Sequence, residues 1–253
     1  MIKIPTIIAH RGASFSAPEN TLVAFKMAKE EGCDWVEFDV VLSKDHVPVI
    51  IHDELLDRTT DGHGPVDAHT LAQLKTFDAG GYHDSEFSGE KIPTLEEGLQ
   101  LCQNLGLKVV LELKSMRGHE AEDALLAKVV CELMTPYLSK PNTYILSSFS
   151  PSMLRICRQH YPTQAMGLIT FLDPIEFSMP EIDFLKRTVN ELQCVSLHIN
   201  EKCISVDTLP LLATISPNIL AWTVNDISRA QALLEMGVCG LFTDKPELLQ
   251  KFS

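Results

Sequence analysis

Short apolar runs alternate with helical patterns along most of this 253-residue chain. Each run has the length of a strand, and in the segment that follows it apolar residues recur every three or four positions. This alternation predicts a parallel sheet with helical crossovers. The predicted strands are residues 6–10, 35–41, 108–113, 142–148, 165–169, 194–198, 219–224 and 239–242. The predicted helices are residues 20–31, 94–105, 120–135, 151–160, 181–191, 205–215, 226–236 and 246–251.

Eight such strand–helix units predict closure into a TIM (β/α)8 barrel, a fold that typically takes about 250 residues. A doubly wound open sheet is the alternative, but no glycine-rich dinucleotide-binding sequence follows the first strand. Asn20 is placed to cap the first helix, and Gly237 to end another. No linker interrupts the pattern, so a single domain over residues 1–253 is expected.

A further apolar run, residues 47–51, lies too close to the second strand to be parallel to it, because a parallel crossover needs about a dozen residues. It is predicted to be an antiparallel hairpin partner. That pairing would bring His52 to the level of Glu37 and Asp39. Residues 54–92 are rich in Gly, Asp, His and Thr and predict a small insertion that roofs the pocket.

The composition narrows the choice of partners. Thirty-four acidic and 21 basic residues give a net charge of −13, which argues against nucleic acid or an anionic membrane surface and favours a small soluble molecule. Seven scattered cysteines without a CxxC pair predict reduced, mostly buried thiols. Neither a signal-peptide core nor a membrane-length apolar run occurs, so a cytoplasmic protein without a membrane anchor is expected. The sequence leaves a homodimer open.

Carboxylates cluster at predicted strand positions that face the barrel interior. Glu37 and Asp39 are two residues apart and share one face of a strand, and Glu112 and Lys114 repeat this spacing on the next barrel strand. Three inward carboxylates need a counter-charge, and one Mg²⁺ or Ca²⁺ ion held by oxygen ligands is the simplest source. Zinc fits less well because no cysteine joins the cluster. The alternative is a buried ion-pair network in which Arg11 and Lys114 neutralise the carboxylates without a metal.

Two histidines end apolar runs beside this cluster. His10 and His52 have ordinary pKa values near neutrality, which suits a pair in which one accepts a proton and the other donates one. Arg11 offers bidentate recognition of a phosphate, and Lys114 offers a point charge to the same group. Together these residues predict a metal-assisted phosphoester site.

Several short motifs follow one another along nearly the whole chain. They are His10-Arg11-Gly12, Pro18-Glu19-Asn20, Glu37-x-Asp39, His52-Asp53, Glu112-x-Lys114, Trp222-Thr223-Val224-Asn225 and Thr243-Asp244. This set resembles the glycerophosphodiester phosphodiesterase family, in its cytosolic bacterial form. The combination is specific because the motifs share order and spacing, whereas one of them alone would be weak evidence.

The resemblance implies metal-dependent hydrolysis of glycerophosphodiesters to sn-glycerol 3-phosphate and an alcohol. In the implied route the glycerol 2-hydroxyl attacks phosphorus to give a cyclic phosphate, which water then opens, with His10 and His52 exchanging the roles of acid and base. Trp222 would pack against the glycerol carbons, with Phe149 also in contact with substrate; a plain core tryptophan is the alternative.

Two other functions remain open on the sequence alone. A related phospholipase of C or D type would act on lysophospholipid headgroups, and it would favour an apolar rim that the sequence does not clearly indicate. A catalytically silent barrel that binds phosphodiesters would be expected to lack a histidine or a metal ligand, and here all are present.

Overall fold

The protein folds as a closed barrel of eight parallel strands, seen in a computed structural model that describes residues 2–115, 120–139, 143–171 and 178–252. The barrel strands are β1 (Ile7–His10), β2 (Trp35–Leu42), β4 (Lys108–Leu113), β5 (Tyr144–Ser148), β6 (Met166–Thr170), β7 (Ser196–Asn200), β8 (Ile219–Trp222) and β9 (Gly240–Thr243), and β3 (Pro48–Ile50) is antiparallel. Pairing of β1 with both β2 and β9 closes the barrel, which confirms the predicted fold and excludes the open sheet. Strand limits differ from the predicted ones by two residues at most, and Asn142, which begins one predicted strand, lies outside the described residues.

Helices follow the eight barrel strands as the sequence predicts, and a further four-residue helix, which was not predicted, lies in the segment after β3. They are α1 (Leu22–Glu30), α2 (Leu71–Leu74), α3 (Leu95–Leu105), α4 (Glu120–Met134), α5 (Pro151–His160), α6 (Met179–Leu192), α7 (Leu209–Ala213), α8 (Ile227–Met236) and α9 (Pro246–Leu249). The prediction for α7 was too long, because Pro210 restricts the helix start and the hydroxyls of Ser205 and Thr208 hold the preceding residues in a turn. The predicted cap of α1 was also wrong: Thr21 caps that helix by accepting from the Ala24 amide.

The interior of the barrel has an apolar base and a polar top. Ile8, Trp35, Val110, Leu220 and Phe242 belong to one buried apolar cluster that fills the base. The inward positions nearer the carboxyl ends of β1, β2 and β4 carry charged or titratable side chains instead. Because the base is filled, a ligand can enter only from the carboxyl ends of the strands.

The hairpin of β2 and β3 has the predicted antiparallel pairing. Val40 pairs with Ile50, and the Ile51 amide donates to the Asp39 carbonyl at 3.1 Å. The next residue, His52, therefore emerges at the level of Glu37 and Asp39, as the sequence predicts.

The segment between β3 and α3 packs as a compact unit on the outside of this hairpin. It contains α2 and three short 3₁₀ turns, and its apolar side chains Leu56, Val66, Leu74 and Ile92 form a buried cluster with Val49. No described helix has both the length and the apolar character needed to cross a membrane. Five of the seven cysteines are buried, which confirms the predicted burial of most of them.

Candidate active site

Three carboxylates meet at the top of the barrel interior. Glu37 and Asp39 lie on β2, and Asp39 pairs in register with Glu112 of β4. Each side chain offers an oxygen that lies within 4.8 Å of the others. Glu37 and Asp39 are 3% and 1% exposed, so water cannot neutralise their mutual repulsion. We call these three residues the carboxylate cluster.

The electrostatics of the cluster fit a bound cation. Burial and the neighbouring carboxylates raise the pKa of Glu37 well above its ordinary value, and burial, then Asp39, raise that of Glu112 to about 7. Burial also acts against ionisation of Asp39, but Lys114 and Arg11 outweigh it and hold its pKa below the ordinary value. Within the described residues, Glu37 Oε1 is buried and accepts no hydrogen bond. A hard divalent cation would give that oxygen a partner and let all three groups ionise.

The backbone of the His10-Arg11-Gly12 turn also serves the cluster. Arg11 has a φ of 57°, and its amide donates to Glu37 Oε2 at 2.9 Å. Gly12 follows with a φ of 83°, and a Cβ there would lie 2.8 Å from the Ala24 carbonyl oxygen. Only glycine fits this close approach to α1, so the motif fixes the direction of the Arg11 amide.

Two cationic side chains border the carboxylates. Arg11 Nε lies 3.4 Å from Asp39 Oδ2, and its Nη1 donates to Glu19 Oε1 at 2.8 Å. Lys114 Nζ lies 2.9 Å from Glu112 Oε1 and 3.4 Å from Asp39 Oδ1. The metal-free alternative predicted these ion pairs. However, neither side chain gives a hydrogen bond to Glu37 Oε1. Both also line the cavity, where a phosphate could reach them.

His10 is oriented by a carboxylate from the far end of the chain. Its Nδ1 lies 2.7 Å from Asp244 Oδ1, and Asp244 also accepts from Asn225 Nδ2 at 2.6 Å and Ser14 Oγ at 3.0 Å. Burial acts against ionisation of Asp244, but these hydrogen bonds, that of His10 foremost, lower its pKa to about 2. Because the ionised carboxylate can only accept, Nδ1 carries the proton and Nε2 is left to act in the cavity.

His52 has a similar arrangement with a different outer partner. Its Nδ1 lies 2.6 Å from Asp53 Oδ1, and Arg58 Nε donates to Asp53 Oδ2 at 2.5 Å. Burial acts against ionisation of Asp53, but Arg58 and His52 outweigh it and lower its pKa to about 2. Arg58 also grips Glu19 with both terminal nitrogens, at 2.6 and 2.8 Å, and Glu19 in turn holds Arg11. One chain of contacts thus runs from His52 to Arg11, the residue expected to bind phosphate. Burial lowers the pKa of His52.

One open cavity is lined on its charged side by six of these residues: His10, Arg11, Glu37, His52, Glu112 and Lys114. Its other side is lined by Phe149, Ile169, Trp222 and Phe242, so the structure places both predicted aromatic residues at the cavity. His198 lies on the floor, 1% exposed, and burial lowers its pKa to about 3, which keeps it neutral. The cavity therefore has one charged side and one largely apolar side.

Some residues of the site were not assigned a role from the sequence. Asp53 and Asp244 stood inside the quoted motifs, directly after His52 and after β9, but only the closed barrel shows that they bind the two histidines. Asn20, expected to cap a helix, instead donates from Nδ2 to Asp39 Oδ2 at 2.9 Å and accepts from the Asp39 amide. Arg58 contacts Asp53, five residues before it, but its other partner Glu19 is 39 residues away and comes close only in the folded chain.

Comparisons with known proteins agree with this geometry. A family model described as the glycerophosphoryl diester phosphodiesterase family matches residues 10–248. A glycerophosphodiester phosphodiesterase of Caldanaerobacter subterraneus subsp. tengcongensis is 33% identical over 96% of this chain and 95% of its own length. One of Bacillus subtilis is 30% identical over 96% of this chain and 85% of its own length. The solved structure of an Oleispira antarctica phosphodiesterase in complex with the product sn-glycerol-3-phosphate is similar with a TM-score of 0.87 and 34% identity, covering 98% of this chain and 96% of that one.

Proposed function

This chain belongs to the glycerophosphoryl diester phosphodiesterase family, and we propose that it hydrolyses glycerophosphodiesters to sn-glycerol 3-phosphate and an alcohol with the help of one divalent cation, Mg²⁺ or Ca²⁺. The observation that carries this proposal is the charged side of the cavity. There two histidines, each with Nδ1 on a carboxylate, face a cluster of three carboxylates and two cations. The product named for the Oleispira antarctica phosphodiesterase supports the choice of substrate.

Glu37, Asp39 and Glu112 are the residues that would hold the cation. When bound, it would supply positive charge that stabilises the negative charge developing on the phosphate oxygens. Arg11 and Lys114 would bind the non-bridging phosphate oxygens from the same side, Arg11 with its planar fork and Lys114 as a point charge.

The histidines would move the protons. The Nε2 atom of one, unprotonated because Nδ1 carries the proton, would accept the proton of the glycerol 2-hydroxyl as its oxygen attacks phosphorus. The other, protonated at Nε2, would donate to the oxygen of the leaving alcohol. Their roles reverse when water opens the cyclic phosphate. The partner carboxylates Asp244 and Asp53 would stabilise each imidazolium while it exists.

The test is a measurement of both products of glycerophosphocholine. A coupled assay should find glycerol 3-phosphate and choline in equal amounts, and the same assay should find glycerol 3-phosphate from glycerophosphoethanolamine and glycerophosphoglycerol. The double variant His10→Ala/His52→Ala is the matched control for background hydrolysis. Release of phosphocholine instead of choline would indicate the phospholipase C type of cleavage, and no turnover of any diester would indicate a silent barrel. Either result would overturn the proposal.

We also propose a single domain and a cytoplasmic location. Seven scattered cysteines without a CxxC pair, five of them buried, support a reducing compartment. Fractionation of the native host with antibodies against this chain would test the location, and recovery in a membrane or extracellular fraction would contradict it.

A further inference from the structure

His198 is a buried histidine on the cavity floor to which the proposed reaction gives no role. It lies on β7, is 1% exposed and lines the cavity. Burial lowers its pKa to about 3, so the imidazole is neutral near pH 7. A neutral imidazole has one nitrogen that donates a hydrogen bond and one that accepts. Because buried polar atoms are normally paired, each nitrogen needs a partner.

Only one of the two nitrogens has its partner inside the described part of the protein. Nε2 lies 2.9 Å from the Oγ atom of Ser196, a completely buried residue that precedes His198 by two positions on the same face of β7. Nδ1 makes no hydrogen bond with any described residue, but it is not closed off from solvent either, so it opens to the cavity. Nδ1 is therefore the nitrogen that is left for a ligand.

The neighbours of the imidazole hold it in one orientation. Gly167 on β6 leaves the space for the ring, since a Cβ at this position would meet Nε2 and would lie 2.6 Å from Cε1. Phe242 on β9 packs against the ring at a centroid distance of 5.0 Å. A ring that is fixed by a glycine, a serine and a phenylalanine presents Nδ1 at one position in the cavity. Recognition of a small polar group requires such a fixed atom.

The chemistry of Nδ1 matches a hydroxyl group. An uncharged nitrogen offers no counter-charge to a phosphate or to a quaternary ammonium group, whereas it forms a good hydrogen bond with an alcohol. Two other neutral polar side chains line the cavity: Ser147, whose Oγ donates to the Leu111 carbonyl at 3.3 Å, and Trp222, whose Nε1 is buried without a partner among the described residues. Phe149 and Ile169 offer no polar side-chain atom.

We propose that His198 is a specificity-determining residue that binds the terminal hydroxyl of the glycerol unit through Nδ1. This inference rests on the proposed function, which places the phosphate on the charged side of the cavity and uses the 2-hydroxyl as the attacking group. The terminal hydroxyl is then the one polar group of the glycerol without an assigned partner. Because it takes no part in bond breaking, its binding lowers KM and leaves kcat nearly unchanged.

The test compares glycerophosphocholine with 2-hydroxypropyl phosphocholine, which keeps the 2-hydroxyl and has a hydrogen atom in place of the terminal hydroxyl. Choline release measures the turnover of both compounds. In the wild type we expect kcat/KM to be about thirtyfold lower for the analogue, because Nδ1 is then buried without a partner. The difference should lie in KM, with the two kcat values within about threefold of each other.

Two variants should reduce this discrimination by different routes. Ser196→Ala/His198→Leu removes both partners of the internal hydrogen bond, so it leaves neither of them unpaired, and its kcat/KM for the two compounds should agree within about threefold. Gly167→Ala keeps both nitrogens but forces the ring to move, and it should lower the discrimination as well. Phe242→Leu is the matched control. It changes the packing of the same ring but keeps Nδ1, so the discrimination should stay above about tenfold.

The outcomes separate the inference from the proposed function. No turnover of glycerophosphocholine by the wild type would reject the function itself. Turnover with equal kcat/KM for the two compounds would reject the hydroxyl site and leave the function intact. Discrimination that survives in Ser196→Ala/His198→Leu would assign the hydroxyl to another group, such as Trp222 Nε1, and would overturn the role of His198. A histidine that only supports the fold would give this last result, because its loss would affect both compounds equally.

A calorimetric titration gives a readout that needs no catalysis. Glycerol 3-phosphate should bind the wild type at least about tenfold more tightly than 2-hydroxypropyl phosphate, which lacks the terminal hydroxyl. The variant Ser196→Ala/His198→Leu should bind both compounds with the same affinity. Equal affinities in the wild-type protein would contradict the proposal.

Discussion

The two sides of the cavity are built on different principles. On the side of β1, β2 and β4, charged side chains form ion pairs, and their positions follow from strand register and from one glycine turn. Three buried polar atoms on this side have no hydrogen bond among the described residues: Arg11 Nε, Glu37 Oε1 and Glu112 Oε1. On the side of β5, β6 and β8, the ring of Trp222 contacts those of Phe149 and Phe171, and Phe171 is largely exposed. In the proposed function the charged side carries out the reaction, so small changes there should abolish turnover. Changes on the aromatic side should instead alter the preference among substrates.

The largest effect should come from the carboxylate cluster. Glu37→Gln keeps the shape and an acceptor for the Arg11 amide but removes a charge and a proposed metal ligand. We expect kcat/KM to fall about a thousandfold. The metal-free variant should also be more stable to heat than the metal-free parent, because burial and repulsion by Asp39 and Glu112 disfavour the ionised form of Glu37. Calorimetric unfolding in chelator measures this, and a lower Tm would indicate a structural carboxylate.

The second largest effect should come from the two cavity histidines. His10→Ala and His52→Ala should each lower kcat by about a hundredfold or more with the fold retained, because each removes one of the two proposed proton-transfer groups. His63→Ala is the matched control, since this histidine of the outer segment has an 85% exposed side chain. A variant of either cavity histidine that keeps near-normal turnover, with circular dichroism unchanged, would remove that residue from the reaction.

A smaller effect should distinguish the roles of Arg11 and Arg58, which both contact Glu19. Arg11→Lys keeps the charge but loses the planar fork, and we expect kcat and kcat/KM to fall together if the fork grips the phosphate most strongly in the transition state. Arg58→Lys weakens the same Glu19 contact from the other side without touching the cavity. It should reduce turnover less and mainly through the orientation of His52. Equal losses in both variants would mean that Arg11 acts through Glu19, with no role at the phosphate.

The smallest effect on turnover should come from His198, on the cavity floor between the two sides. Its pKa is lowered to about 3 by burial, so the unfolded chain binds a proton below the ordinary value of 6.5 that the folded protein does not. The free energy of unfolding should therefore decrease as pH falls from about 6 to 4, by about 1.4 kcal/mol per pH unit from this one group. Urea unfolding of the wild type and His198→Gln should differ in slope by that amount. Identical slopes would show that the imidazole protonates in place.

The sequence predicted the charged side far better than the aromatic side, for physical reasons. The spacing of Glu37 and Asp39 and the short turn before β3 are local, so strand periodicity alone could place two carboxylates and His52 together. The pairing of His10 with Asp244 spans 234 residues and exists only because β9 closes on β1. Local patterns could not reveal it.

The other features that the sequence did not predict also depend on contacts in the folded chain. Asn20 matched the local signal for a cap, yet a buried carboxylate offered its side chain a stronger partner than the helix end did. The exposure of Phe171 could not be deduced either, because an apolar residue after a strand is buried or exposed according to which loops cover it. Apolar periodicity thus predicts the helices and strands and the faces on which their residues lie. Contacts across the barrel depend on how the barrel closes.

The role proposed for the carboxylate cluster requires a bound metal, and one titration tests this requirement most directly. Glycerol 3-phosphate release from glycerophosphocholine is followed while Mg²⁺ or Ca²⁺ is added back to chelator-treated protein, with Glu37→Gln in parallel. Turnover of the wild type should rise from background along a single-site curve, and the variant should stay at background across the same range. Full turnover that persists in chelator, or equal rescue of Glu37→Gln, would contradict the assignment of the cluster to a catalytic cation.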